Sequence, residues 1–260
     1  MTLMEKLPPL VEFAEVRQGL ATTDNGRFVK FNWEVEQDEI NKIWFPYVKG
    51  AGSKRWFSPV VHVVKWENNG QEIKDAVNQA YPYLKGKVHW VVKNEKYYFK
   101  EGLSFSFVNN ANFAVRLLPA GCIFDVAASA LFPTKIDRYA LLAYLNSSFA
   151  GKMAHLINPT INFQVGDVKR LPIIPFTESE SEKLAQMARE CTEATVQLTN
   201  EADSKHHAAI IKETESRIDL FVLNALKERS ILSQKELSEI EDWISSPSSN
   251  SARELSQSRS

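Results

Sequence analysis

The chain has 260 residues, a formal net charge of −1, and only two cysteines, Cys122 and Cys191. Two thiols cannot build a disulfide framework, and the longest apolar stretch, around Ala140 to Leu145, is far shorter than a membrane span. With no signal peptide in view, a soluble protein of a reducing cytoplasmic compartment is expected, with one large domain or one domain plus an appendage.

The near-neutral total hides an uneven distribution. Residues 41 to 100 carry 11 Lys or Arg against 4 Asp or Glu, whereas residues 171 to 260 carry 10 against 16. This predicts a basic working surface in the first part and a solvated, helical, acidic second part.

Within the basic part, Trp44 to Trp66 reads WFPYVKGAGSKRWFSPVVHVVKW, with basic residues and aromatics interleaved around a small-residue loop. Lys and Arg neutralise phosphates, and flat rings and guanidinium planes pack on sugars or exposed bases. Large aromatics are equally at home in a core. Val60 to Lys65 and Val88 to Lys93 are β-branched runs, and Leu103 to Val108 alternates Phe and Ser, so each predicts a strand. Phe113 to Leu118 and Cys122 to Val126 predict two more, joined as a hairpin across Pro119-Ala120-Gly121.

A helix is predicted from Lys135 to Leu156, with Thr134 as N-cap and Leu141, Leu145, Phe149 and Met153 recurring every four residues. Asn158-Pro159 ends it, and Ile161 to Val165 reads as an extended segment. After Pro175, Thr177 and Glu180 form a capping box for a helix with Leu184, Met187, Cys191 and Leu198 on one face. A second helix is predicted from Lys205 to Arg229, with Ile211, Ile218, Val222 and Ala225 as its stripe, completing an antiparallel hairpin. A third, short helix follows Ser233, with Leu237, Ile240 and Trp243 as its stripe. From Ser245 onward half of the residues are Ser, and disorder is expected.

Several segments, in order, resemble one family. They are Gly19 to Phe28, Trp44 to Gly50, Val64 to Lys74, Tyr98 to Ser106, Arg116 to Asp125, and Leu145-Asn146-Ser147 with Asn158 to Asp167. Together they resemble the C-terminal target-recognition region of PglX-type adenine-specific DNA methyltransferases of BREX phage-defence systems, related to fused type II restriction–modification enzymes. The resemblance is dense from residue 8 to 175 and looser over the helical hairpin. It implies an α+β fold: a short, loop-rich β-sheet target-recognition domain over 1–175, a helical hairpin plus short helix over 176–244, and a Ser-rich tail over 245–260.

It also implies a reader of double-stranded DNA whose catalysis lies elsewhere. In the family a separate domain binds S-adenosylmethionine and flips the base. The adenine methyltransferase signature, an Asn or Asp followed by Pro-Pro and an aromatic, is represented here only by Asn158-Pro159-Thr160-Ile161, which lacks the second proline and the aromatic. A Gly-rich cofactor loop is absent too. The expected partner is therefore a methyltransferase catalytic domain or subunit, with no cofactor held in this chain and no membrane involved.

For the reader, Lys49, Lys54, Arg55 and Lys65 are candidates to hold phosphates, with Lys85 and Lys87 as further contacts, while Trp56 and the Gly50 to Ser53 loop set the approach. Arg27, Asn162 and Gln164 are candidates for base edges, and Thr22, Thr23 and Asn25 face the DNA beside Arg27. Trp44, Phe45 and Trp66 are assigned to the core. A different class of reading, a protein-interaction module that recruits other defence components, stays open. Glu72-Ile73-Lys74 and Asp167-Val168-Lys169 have the form of a nuclease metal element, but no acid at strand spacing accompanies them. The five histidines show no paired ligand spacing, and no P-loop, nucleophile elbow or dinucleotide fingerprint is present.

Overall fold

The computed structural model describes residues 6–108, 113–160, 162–200, 204–229 and 233–245. The Ser-rich segment 246–260 lies outside the described residues, as do Ile161 and the polar link 201–203 between the hairpin helices.

Among the described residues eight short strands form two four-stranded sheets, which with the helices make an α+β fold. They are β1 (Ala14–Arg17), β2 (Val29–Phe31), β3 (Trp44–Val48), β4 (His62–Lys65), β5 (Gly102–Phe105), β6 (Val115–Leu118), β7 (Ile123–Phe124) and β8 (Ala130–Pro133). The first sheet has the order β1-β8-β5-β6 and is antiparallel throughout. All four residues of β5 are buried, as expected of an inner strand covered on both faces. The second sheet has the order β2-β4-β3-β7, with β7 parallel to β3.

The expected hairpin across Pro119-Ala120-Gly121 does not form, because β6 pairs with β5 and β7 with β3. The turn, with Gly121 at φ 78°, carries the chain from one sheet to the other. It is held by Gly121 N–H donating to Phe99 O (2.9 Å) and Phe99 N–H to Cys122 O (2.8 Å). Val88 to Lys93 is likewise no strand. Its amides bond back locally, Val91 and Val92 N–H both donating to Val88 O, so Val88–Trp90 is a 3₁₀ turn. β propensity expresses itself only where a partner strand is in reach.

Besides a single helical turn at Asn25–Phe28, the α-helices of the described residues are α1 (Glu67–Ala80), α2 (Arg138–Asn146), α3 (Ser148–Ile157), α4 (Val165–Lys169), α5 (Glu178–Asn200), α6 (Ser204–Glu228) and α7 (Gln234–Ser245). α1 opens with a left-handed turn at Asn68, Asn69 and Gly70, φ 51° to 70°, and a Cβ on Gly70 would lie 2.4 Å from the Trp66 ring. The single helix expected over 135–156 is two. Asp137, not Thr134, caps α2 by accepting the Tyr139 and Ala140 amides, while Ser147 leaves helical geometry and its hydroxyl accepts the Ala150 amide to start α3. Thr134 instead donates to Phe13 O (3.0 Å).

The Thr177–Glu180 capping box forms as expected, Thr177 N–H donating to Glu180 Oε2 (2.7 Å) and Glu180 N–H to Thr177 Oγ1 (3.3 Å). α2, buried from Ala140 to Asn146, packs against α5 and the first sheet. One apolar core therefore takes Leu10, Val16, Trp56, Leu103 and Phe105 from before Pro175 and Leu184, Cys191, Ile218 and Val222 from after it. A second core, under the other sheet, holds Phe28, Tyr47, Trp66, Ile73, Ile123 and Phe124. Trp44 and Trp66 are buried and Phe45 half-buried, matching their assignment to the core.

Candidate nucleic-acid interface

The loop after β3 and the segment before β4 enclose a cleft of about 230 Å³. Tyr47 to Ala51 form one wall and Ser58 to His62 the other, with Lys54 at the mouth and Arg116 and Leu117 of β6 at the floor. Gly50 lets the loop pass close to Ala127, since a Cβ there would sit 2.9 Å from Ala127 O. Ser106 ties the loop to the floor: its Oγ accepts the Ala51 amide (3.0 Å) and an Arg116 guanidinium N–H (3.1 Å).

The cleft is basic. Arg116 is 1% exposed, and burial pulls its pKa down to about 10, so it is still a cation at neutral pH. Lys49 Nζ lies 3.5 Å from Asp125 Oδ2, the acid whose carboxylate also accepts the Tyr47 hydroxyl (2.7 Å) and the Ala127 amide (2.7 Å). Burial, then the Asp125 charge, push the Tyr47 hydroxyl well above its ordinary pKa. Burial, and after it the Lys49 charge, hold the His62 imidazole below its usual value, so at neutral pH it is chiefly a neutral wall.

An aromatic shelf adjoins this cleft. His62 meets Phe31 at 4.7 Å, and Phe31 stacks on Trp33 at 4.5 Å with planes 7° apart. Trp33 is 68% exposed, and the shelf sits at the β2 edge of its sheet. Sequence reading singled out neither Arg116 nor this shelf. Phe31-Asn32-Trp33 lies outside the basic stretch of residues 41 to 100, and Arg116 is embedded in an apolar run; only the pairing of β2 with β4 brings Phe31 to His62.

The sequence-nominated residues divide. Lys49, Gly50 and Lys54 line the cleft. Arg55 and Trp56 turn the other way, toward α6: Arg55 Nη2 lies 3.0 Å from Glu215 Oε2, and the Trp56 indole N–H donates to Glu215 Oε1 (2.7 Å). Trp56, 2% exposed, belongs to the main core, which corrects its expected role at the loop surface. Lys65 and Arg27 converge on Glu72, and these hydrogen bonds, Lys65 first, hold the Glu72 carboxyl below its ordinary pKa.

Thr22 is buried, its hydroxyl donating to Asn25 Oδ1 (2.7 Å), so of that group only Thr23, Asn25 and Arg27 face outward. Asn162 and Gln164 do not share a strand face as expected. Asn162 makes an isolated bridge to Val108, and Gln164, exposed, is the N-cap of α4, its amide donating to Asp167 Oδ2 (3.1 Å). Asn158 closes a turn by accepting the Thr160 amide (3.0 Å), the helix-ending role read from sequence.

The nuclease-like tripeptides are engaged elsewhere: Glu72 with Lys65 and Arg27, Lys74 with Glu95, and Asp167 with Asn158 and Arg170. Among the described residues no group of three His, Cys, Asp or Glu is placed to hold a metal ion. Both cysteines are buried, which pushes the Cys122 thiol up to about 11 and Cys191 to about 12. No helix among the described residues is long and apolar enough to cross a membrane.

No protein-family model matches the chain. In sequence it is homologous to two adenine-specific methyltransferases. It is 29% identical to PglX of Lacticaseibacillus casei (strain Zhang) over 178 residues, 63% of this chain and 14% of that protein. It is 34% identical to BrxX of Escherichia coli O9:H4 (strain HS) over 157 residues, 59% of this chain and 12% of that protein. The chain thus spans a small part of these relatives. Among solved structures it is similar to the Type IIL restriction-modification enzyme MmeI, whose structure is of a complex with DNA. The TM-score is 0.56 at 12% identity, over 94% of this chain and 35% of that one. At such identity the likeness is one of fold.

Proposed function

We propose that this chain is the DNA target-recognition portion of an adenine-specific methyltransferase of a restriction–modification or BREX phage-defence system, a reader without catalytic machinery of its own. The observation that carries the reading is the cleft, lined by Lys49, Lys54 and Arg116, of which, among the described residues, Lys49 alone meets an acid, Asp125, beside an exposed aromatic shelf. An excess of cations next to flat rings is what a phosphodiester backbone and its bases require. Homology to two adenine-specific methyltransferases, and a fold like that of an enzyme solved with DNA, support the same reading.

In this mechanism Lys49 and Lys54 fix the register of the duplex through its phosphates. Arg27 and Asn25, exposed on the helical turn Asn25–Phe28, are offered to base edges, with Arg27 exchanging Glu72 for the DNA. Gln164, also exposed, is a further candidate. Base flipping and methyl transfer from S-adenosylmethionine take place on a catalytic domain outside this chain.

The test is a salt titration of duplex binding by fluorescence anisotropy. Affinity is expected to fall steeply with salt, and Lys54→Ala to weaken binding across sequences while reducing the logarithmic salt slope by about 1. Absence of duplex binding at low salt overturns the reading and leaves the interaction-module alternative.

A further inference from the structure

The most buried cation lining the cleft is Arg116. Arg116 donates to Ser106 Oγ (3.1 Å) and, at the limit of a hydrogen bond, to Lys54 O (3.5 Å); both acceptors are neutral. Among the described residues no carboxylate pairs with it. Asp125 is taken up by Tyr47, Ala127 and Lys49. A guanidinium withdrawn from water without an anion is strongly unfavourable, and two neutral acceptors use only part of its five-donor fork. Arg116 itself lines a space of about 230 Å³ that Lys49 and the exposed Lys54 also line.

We propose that this cleft is a phosphoryl-oxyanion site, with Arg116 as the floor charge and Lys49 and Lys54 closing over the ligand from the wall and mouth. Guanidinium and phosphate match in geometry as well as charge, the forked N–H groups meeting two oxygens at once. The ligand carries the charge the chain omits: its arrival turns an uncompensated buried cation into a paired one, so occupancy and stability are linked. That the phosphoryl group belongs to a DNA backbone rests on the preceding reading; a free phosphate ester presents the same chemistry.

Thermal unfolding of the full chain, with inorganic phosphate titrated against sodium chloride at matched ionic strength, tests the site. The wild type is expected to show a saturable rise in midpoint with phosphate. Arg116→Met is expected to be no less stable than wild type in chloride, since an unpaired charge is gone, and to ignore phosphate. An arginine that merely braces Ser106 and Lys54 gives the opposite pattern: a wild type indifferent to phosphate and a variant destabilised in both salts. That pattern overturns the proposal.

Should the variant not fold, the wild type alone decides through the NMR pH titration of His62. The charges that act on this imidazole are Lys49, Asp125 and Glu34. A phosphate seated beside Lys49 offsets its repulsion, so the His62 midpoint rises in phosphate relative to chloride; an unchanged midpoint sinks the site. Duplex binding then identifies the source. A loss of tenfold or more in affinity for Arg116→Met, with a flatter salt dependence, assigns the site to the DNA backbone. Unchanged duplex affinity with a lost phosphate response assigns it to a free phosphate ester. A wild type that binds no duplex overturns the preceding reading, while the phosphate titrations still decide the cleft.

Discussion

Glu215 holds two neighbours at once, the Arg55 guanidinium and the Trp56 indole N–H, and so fastens the end of the loop after β3 to α6. Its two partners differ in what they need. Arg55 is 40% exposed and can return to water, whereas the Trp56 N–H is buried and cannot. Glu215→Ala should therefore cost about 1–3 kcal/mol, chiefly through the orphaned indole donor, while Glu215→Gln, which can still accept from it, should cost less. Urea denaturation of the two variants checks this; equal losses would point to the ion pair instead.

Glu180 offers a pH test. The Arg229 hydrogen bond, with the Thr177 cap, lowers its carboxyl to about 2 from an ordinary 4.5. A depressed acid contributes stability above its unfolded pKa and loses it as pH falls through the folded value, so this contribution is present at pH 5 and disappears toward pH 2. Glu180→Gln should flatten the stability-against-pH curve in that window by about 1 kcal/mol once solvent screening is allowed for. A curve unchanged in shape would contradict it. At this scale the capping box was legible, because cap chemistry is local. The fate of Arg116 was not, because its burial is created by Trp56 and Ser106, residues distant or separate in sequence that close around it only in the fold.

Among the elements, those with a local stop signal or a long period were read best. Both long helices of the second part were read from their apolar stripes, and the second lies within one residue of its predicted bounds at each end. The break at Ser147 was hidden because the stripe Leu141, Leu145, Phe149, Met153 continues through it, and all four residues are buried on either side. Strand partners were the least legible, as Val88 to Lys93 shows, because pairing is a property of two segments.

The shelf at the edge of β2 follows from such a pairing, and it predicts a separation of effects. Trp33 is largely exposed, so Trp33→Ala should change stability by no more than about 0.5 kcal/mol. If nucleic acid rests on it, the same change should weaken binding by about 1–3 kcal/mol, more for substrates with an unstacked base. Unaltered affinity for duplex and single-stranded probes alike would remove the shelf from the interface.

At the scale of the molecule, composition suggests a basic half followed by an acidic helical half, yet the main core draws on both. The seam between them is chemical, marked by Arg55 reaching across to Glu215, and no apolar gap accompanies it. The two sheets are joined just as closely by the turn at Pro119 to Gly121, and this link bears on the order of folding. β6 pairs with its near neighbour β5, but β7 must find β3 far back in the chain. Once the β5–β6 pair exists, the short tether from Pro119 to Cys122 confines β7, so much of the loop-closure entropy of the distant pairing has already been spent. Truncations in β6, such as Val115→Ala, should then slow folding, whereas Ile123→Val in β7 should mainly speed unfolding. Stopped-flow chevrons that assign both to the unfolding limb would refute that order.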